Sequence, residues 1–147
     1  MFSNILVPTD GSKLSQRAVN EAIELARVSN AKLTALHVYP RYAGSPYGTF
    51  GPAADMLEEA HKCNHEDAAA EIFAAIKEAA DAAGVPLESK VVEADDVYQQ
   101  IIAVAGKKKC DLICMASHGR RGLSAVVLGS ETHKVLTHSK IPVLVLR

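Results

Sequence analysis

Five short apolar runs, each of strand length, alternate along this chain with four segments of helical spacing. The runs are "NILVPT" (Asn4 to Thr9), "KLTALHVY" (Lys32 to Tyr39), "PLESKVVE" (Pro86 to Glu93), "CDLICMAS" (Cys110 to Ser117) and "IPVLVLR" (Ile141 to Arg147). Strands separated by helices cannot pair as hairpins. They pair in parallel through right-handed crossovers, with helices on both faces of the sheet. The expectation is a five-stranded, doubly wound parallel α/β sheet of order 3-2-1-4-5, in which the strand order reverses between strands 1 and 4. At 147 residues the chain suits one domain, 1–147, with one core.

The helical segments carry their own start and stop signals. Ser12 is placed to cap a helix with Leu14, Ala18, Ala22, Leu25 and Ala26 on one stripe, widened by Val19 and Ile23. From Ala54 to Ala83 the residues Leu57, Ala60, Asn64, Ala68, Ile72, Ala75, Ala79 and Ala83 follow 3- and 4-residue steps, with Gly84 and Pro86 as the stop. Asp95 is predicted to cap a third helix, with Val97, Ile101, Val104 and Ala105 inward and Gly106 at its end. A fourth begins at Ser130 and runs to about Ser139. Between strand 2 and the long helix, "PRYAGSPYGTFGP" (Pro40 to Pro52) has no period and reads as a loop, with Tyr42, Tyr47 and Phe50 able to fold over a ligand or to lie on the surface.

In open parallel sheets ligands bind beyond the carboxyl ends of the strands, where the strand order reverses. Two segments meet there: "PTDGS" after strand 1 and "MASHGRRGLSAVVLGSET" after strand 4. In the second, Gly119 follows the strand end, where a tight turn or a close backbone approach calls for glycine. Gly129 precedes Ser130, Glu131 and Thr132, the first turn of a helix, whose free amides and dipole favour an anion. Arg120 and Arg121 add positive charge; Glu131 favours the helix but opposes a phosphate unless a metal ion intervenes. The residues alone are compatible with a phosphate site and equally with plain turn chemistry.

Composition excludes several classes. The net charge of −1 is no footprint for nucleic acid or an anionic membrane, and "KKK" (Lys107 to Lys109) suits the carboxyl end of a helix dipole. No apolar stretch approaches the roughly 20 residues of a membrane span, and "MFSNILVPTDGS" lacks the features of a signal peptide, so a cytoplasmic protein is expected. Three cysteines make no disulfide framework, and reduced, partly buried thiols are expected at Cys110 and Cys114. "HKCNH" presents His61 and His65 on one helix face but turns Cys63 about 200° away, so a solvated face is expected, with a weak two-histidine site as the alternative. Ser117 and His118 are adjacent in an extended segment, which directs their side chains apart and argues against a nucleophile–base pair. Neither G-x-G-x-x-G after strand 1 nor G-x-x-x-x-G-K-[ST] occurs.

"ILVPTDGS", "ALHVY", the segment from Met115 onward and the closing "IPVLVLR" together resemble the universal stress protein family over essentially the whole chain. Nucleotide-binding members carry a Gly, two residues, a Gly, nine residues, then Gly followed by Ser or Thr. Here Gly119, nine residues and Gly129-Ser130 match, while Ala116 stands at the first position and Gly122 lies outside the pattern. The resemblance implies a Rossmann-like fold and ATP, with or without Mg²⁺ carried by the nucleotide, its adenine near strands 1 and 2. Backbone around Val38 and the side chain of Asp10 would address base and ribose, with Pro8 and Thr9 in the wall and Met115 and Ala116 beside the ribose. Phosphates would meet Gly119, Gly129, Ser130 and Thr132. Were Ala116 to need a left-handed backbone, it would cost about 1–2 kcal/mol. Such a cost is a roughly ten- to thirtyfold loss of affinity.

What the resemblance implies is an ATP-binding stress-response protein acting through partners. The alternatives are a ligand-free dimeric interaction protein and a slow ATPase or phosphotransferase, for which Asp10 would hold Mg²⁺ but no base is evident. Val143, Leu144, Val145 and Leu146 would form an exposed apolar edge in a monomer, and pairing two such strands about a two-fold axis would cover it. Members of the family commonly dimerise in that way, so a homodimer is expected.

Overall fold

The computed structural model describes residues 1–44, 50–119 and 127–147. The elements run β1 (Asn4–Pro8), α1 (Lys13–Ser29), β2 (Lys32–Tyr39), α2 (Pro52–Ala82), β3 (Leu87–Glu93), α3 (Val97–Lys107), β4 (Leu112–Ala116), α4 (Ser130–His138) and β5 (Val143–Leu146). All four strand pairings are parallel and the order is β3-β2-β1-β4-β5. The expected doubly wound sheet is therefore present, with β1 and β4 side by side at the reversal.

Strand alternation divides the core in two. Ile5, Val7, Leu33, Ala35, Leu112 and Cys114 face α1 and α2, packed against Val19, Ala22, Ile23, Ile76 and Ala80. Leu6, Leu36, Ile113 and Met115 point the other way, against Ile101, Val104 and Ala105 of α3 and Val135 of α4. Because both faces are covered, β1 and β4 are apolar on both sides, which is why their sequences show runs rather than alternation. Cys114 lies wholly inside, and burial pushes its thiol up to about 12; Cys110 is also buried and Cys63 is exposed, all three free.

The Ser12 cap forms, its Oγ accepting from the Ser15 amide at 3.2 Å. Two helix expectations need correction. The inward line of α2 is only partly as expected: Ile72, Ala79 and Ala83 pack against the core, but His61, His65, Ala69, Phe73, Ile76 and Ala80 also turn toward the sheet, whereas Leu57, Ala60, Asn64, Ala68 and Ala75 are exposed. Alanine occurs at nearly every phase of this helix, so the few large residues decide which face is buried, and two of them are histidines. Asp95 does not cap α3. Its Oδ1 accepts from the Arg41 amide at 3.1 Å, and the first turn of α3 is served from α4, where Glu131 Oε2 accepts from the Tyr98 amide at 2.9 Å. Among the described residues no helix is long and apolar enough to cross a membrane.

Candidate functional site

At the carboxyl edge of the sheet the exits of β1 and β4 come into contact. After β1 the chain makes a tight turn in which Gly11 has φ +77°, a left-handed conformation that suits glycine. Asp10 Oδ1 accepts from the Ser12 amide at 2.9 Å, so the carboxylate is set by the same turn that starts α1. Thr9 is buried and held on three sides: its amide donates to Leu36 O at 2.8 Å, its hydroxyl lies 3.1 Å from Ser15 Oγ, and its carbonyl accepts from His37 Nδ1 at 2.8 Å. A carbonyl only accepts, so His37 carries its proton on Nδ1. Sequence reasoning missed this role. The available signal was a histidine on the inward side of an otherwise apolar strand, since a buried imidazole requires a partner.

The β4 exit supplies the other wall, and its two described glycines are there for closeness. A Cβ built on Gly119 would run into Asp10 Oδ2, and Gly119 itself is outside the left-handed region. A Cβ on Gly129 would lie 3.0 Å from Ser117 O and 3.1 Å from His118 Cα, both backbone atoms. Gly129 donates its amide to Ser117 O at 2.7 Å and caps α4 with φ −59°, so the start of α4 is bonded directly to the end of β4. Among the described residues no side chain caps α4, and its first turn, at Ser130, Glu131 and Thr132, carries the positive end of the helix dipole.

Most of the expected site residues surround this crevice. Pro8 ends β1 opposite Leu36, so β2 continues past it and the Val38 peptide lies beyond the β1 ladder. Met115 and Ala116 are buried at the end of β4. Ala116 is in strand geometry, and among the described residues only Asn30 and Lys109 are non-glycine residues with positive φ, so the feared backbone strain is absent. Two side chains are engaged in the scaffold instead: Thr132 Oγ1 donates to Ala116 O at 3.0 Å, and Glu131, besides serving α3, pairs with Lys134 at 3.0 Å. Ser130 is exposed at the first turn. Arg120, Arg121, Gly122 and Tyr47 lie outside the described residues.

Ser117 and His118 do not diverge as expected, since Ser117 Oγ is 3.1 Å from His118 Nδ1. The strand has ended at Ala116, and the bend that follows returns the imidazole over the serine. The "HKCNH" face is also not solvated, because His61 and His65 are half-buried against Tyr39. Among the described residues no group of three His, Cys, Asp or Glu is arranged to hold a metal ion.

A crevice of this kind offers an anion backbone amides on one side and a carboxylate suited to vicinal hydroxyls on the other. The chain matches the Universal stress protein family over residues 1–147. It is 32% identical over 151 residues to the universal stress protein YxiE of Bacillus subtilis (strain 168), covering 100% of both chains. Protein MJ0577 superimposes with a TM-score of 0.85 at 25% identity, over 99% of this chain and 96% of that one. A universal stress protein crystallised in complex with cAMP superimposes with a TM-score of 0.72 at 27% identity, over 99% and 97%.

Proposed function

The chain belongs to the universal stress protein family, and from that premise we propose that it binds an adenine nucleotide, ATP or a relative of it, between the exits of β1 and β4. The observation that carries this reading is the pair of close approaches, Gly119 against Asp10 and Gly129 against the end of β4. Both positions exclude a side chain: Gly119 lets the Asp10 carboxylate come up to the exit of β4, and Gly129 lets the start of α4 pack on the end of β4. The cAMP complex of a 27% identical relative supports an adenine nucleotide as the class of ligand. In this reading the α4 amides, with Gly119, Gly129 and Ser130, meet the phosphates, the Val38 peptide meets the base, and Asp10 meets the ribose. Pro8, Thr9, Met115 and Ala116 form the wall, and Mg²⁺ enters only with the nucleotide.

The protein would then act in the cytoplasm as a homodimer whose nucleotide state is read by a further protein. The outer edge of β5 supports the dimer: Leu144 is 38% exposed and Leu136 of the neighbouring α4 is 41% exposed. A second reading, slow phosphoryl transfer, is favoured by the Ser117–His118 contact. It predicts turnover that falls in a Ser117→Ala variant.

The test is titration calorimetry of nucleotide-stripped protein with Mg-ATP, AMP and cAMP, beside Ala116→Gly. Because Ala116 stores no backbone strain, the two proteins are expected to bind with affinities within about threefold of each other. Binding by the glycine variant alone would mean that the methyl occupies ligand volume. No heat from either protein, with no retention in equilibrium dialysis, would refute the nucleotide reading and leave the ligand-free interaction protein.

A further inference from the structure

On the face of the sheet covered by α2, a group of rings lies apart from the crevice. The His65 imidazole stacks on the Tyr39 ring, centroids 4.8 Å apart and planes 8° from parallel. His61 meets His65 edge-on at 4.5 Å and Tyr42 at 5.5 Å. His61 Nε2 donates to Pro40 O at 2.9 Å, which ties the helix to the segment leaving β2. Tyr39 is only 4% exposed, while the first fully buried residue of α2 is Ala69. The first four turns of this 31-residue helix are therefore held to the sheet mainly by two histidines.

We propose that His65, stacked on Tyr39 with His61 edge-on beside it, is a proton-operated latch that holds the amino-terminal half of α2 and the Pro40–Gly44 segment on the end of β2 when the His65 ring is neutral and releases them when it is protonated. The closed arrangement suits a neutral His65. A proton on it would place a positive charge in a stack shielded from water by Tyr39. The charged and titratable groups around the cluster are His37 and Glu93, which act on His65; Glu93, Glu66, Lys62 and Glu59, which act on Tyr39; and Tyr42, whose ring meets His61. Burial, and then the nearness of His61 and His37, hold His65 below its ordinary value, with Glu93 acting the other way. The sign follows from linkage. The open state binds protons more readily, so the latch is fully closed above the ordinary histidine value of 6.5 and weakens as pH falls from there toward the lower closed-state value. His37 extends the group to the crevice, since its other contact is the Thr9 carbonyl.

The test is amide hydrogen exchange of the full chain without nucleotide at about pH 7.5 and about pH 5.5, corrected for intrinsic exchange. For one proton taken up on opening, the opening constant rises as pH falls below 6.5, by at most about tenfold per pH unit. That increase is expected at residues 55–66, while amides around Ile76 and Ala80 stay unchanged. His65→Phe preserves the stack on Tyr39 but cannot be protonated, so residues 55–66 should stay protected at both pH values. Equal protection of the natural protein at both pH values would overturn the proposal, as would an unaltered pH response in His65→Phe. The natural protein also gives a reading independent of any variant: the His65 ring proton resonance should titrate below 6.5, and a midpoint at or above 6.5 overturns the latch.

Discussion

Gly119→Ala is the sharpest probe of how the two loops meet, because two opposing effects of known sign act on one residue. The new methyl would collide with Asp10 Oδ2, the end of a short side chain whose other oxygen accepts from the Ser12 amide. Relief swings the carboxylate away and breaks that bond. A hydrogen bond to a charged group contributes about 1.5–3 kcal/mol. Asp10 and Ser12 are both half-buried, so the lower end applies. Against this, replacing a glycine outside the left-handed region restricts the unfolded chain and stabilises by about 0.4–1 kcal/mol. The net expectation is a loss of about 1 kcal/mol, a fall of about 0.5 M in the urea midpoint at fixed pH with m unchanged. In an Asp10→Ala background the obstacle is gone and only the chain-entropy gain remains. There the same substitution should stabilise, and the cycle should return a coupling of about 1.5 kcal/mol. A loss of the same size in both backgrounds would refute the contact. So would a gain of the same size in both.

Gly129→Ala should be more costly, about 2–3 kcal/mol, because its neighbours at 3.0 and 3.1 Å are backbone atoms of Ser117 and His118 that cannot swing aside; in chemical denaturation Asp10→Ala should not relieve it. Leu144→Glu places a charge on the outer edge of β5, and light scattering should show the mass falling from twice 15.7 kDa to 15.7 kDa, with an unchanged mass counting against the proposed dimer.

What the sequence made legible were the features written into local composition. The apolar runs of β1, β2 and β4 announce strands covered on both sides, and the spacing of the glycines after β4 marks the place where the chain crowds the β1 turn. Less legible were contacts whose partner is remote. Glu131 reads as a charge adverse to a phosphate until α3 is found across from it, with its first-turn amide unserved by Asp95. Thr132 reads as a phosphate donor, yet its hydroxyl closes on the last carbonyl of β4. The phase of α2 was misjudged for a different reason. Alanine carries little phase information, and a histidine counted as polar is here an aromatic surface for Tyr39. His118 shows the limit of strand alternation, which ceases to govern side-chain direction one residue after the strand stops.

One consequence of the length of α2 concerns the shape of the molecule around its crevice. His61 sits against the end of β2, so the nine residues from Pro52 to Ala60 continue past the sheet. At 1.5 Å per residue they form a parapet about 13 Å tall along one side of the carboxyl edge. A body approaching the crevice from that side touches the parapet first, at Met56 and Leu57, which are 73% and 48% exposed. On the α2 side the edge is thus walled rather than flat, and the wall carries exposed apolar side chains.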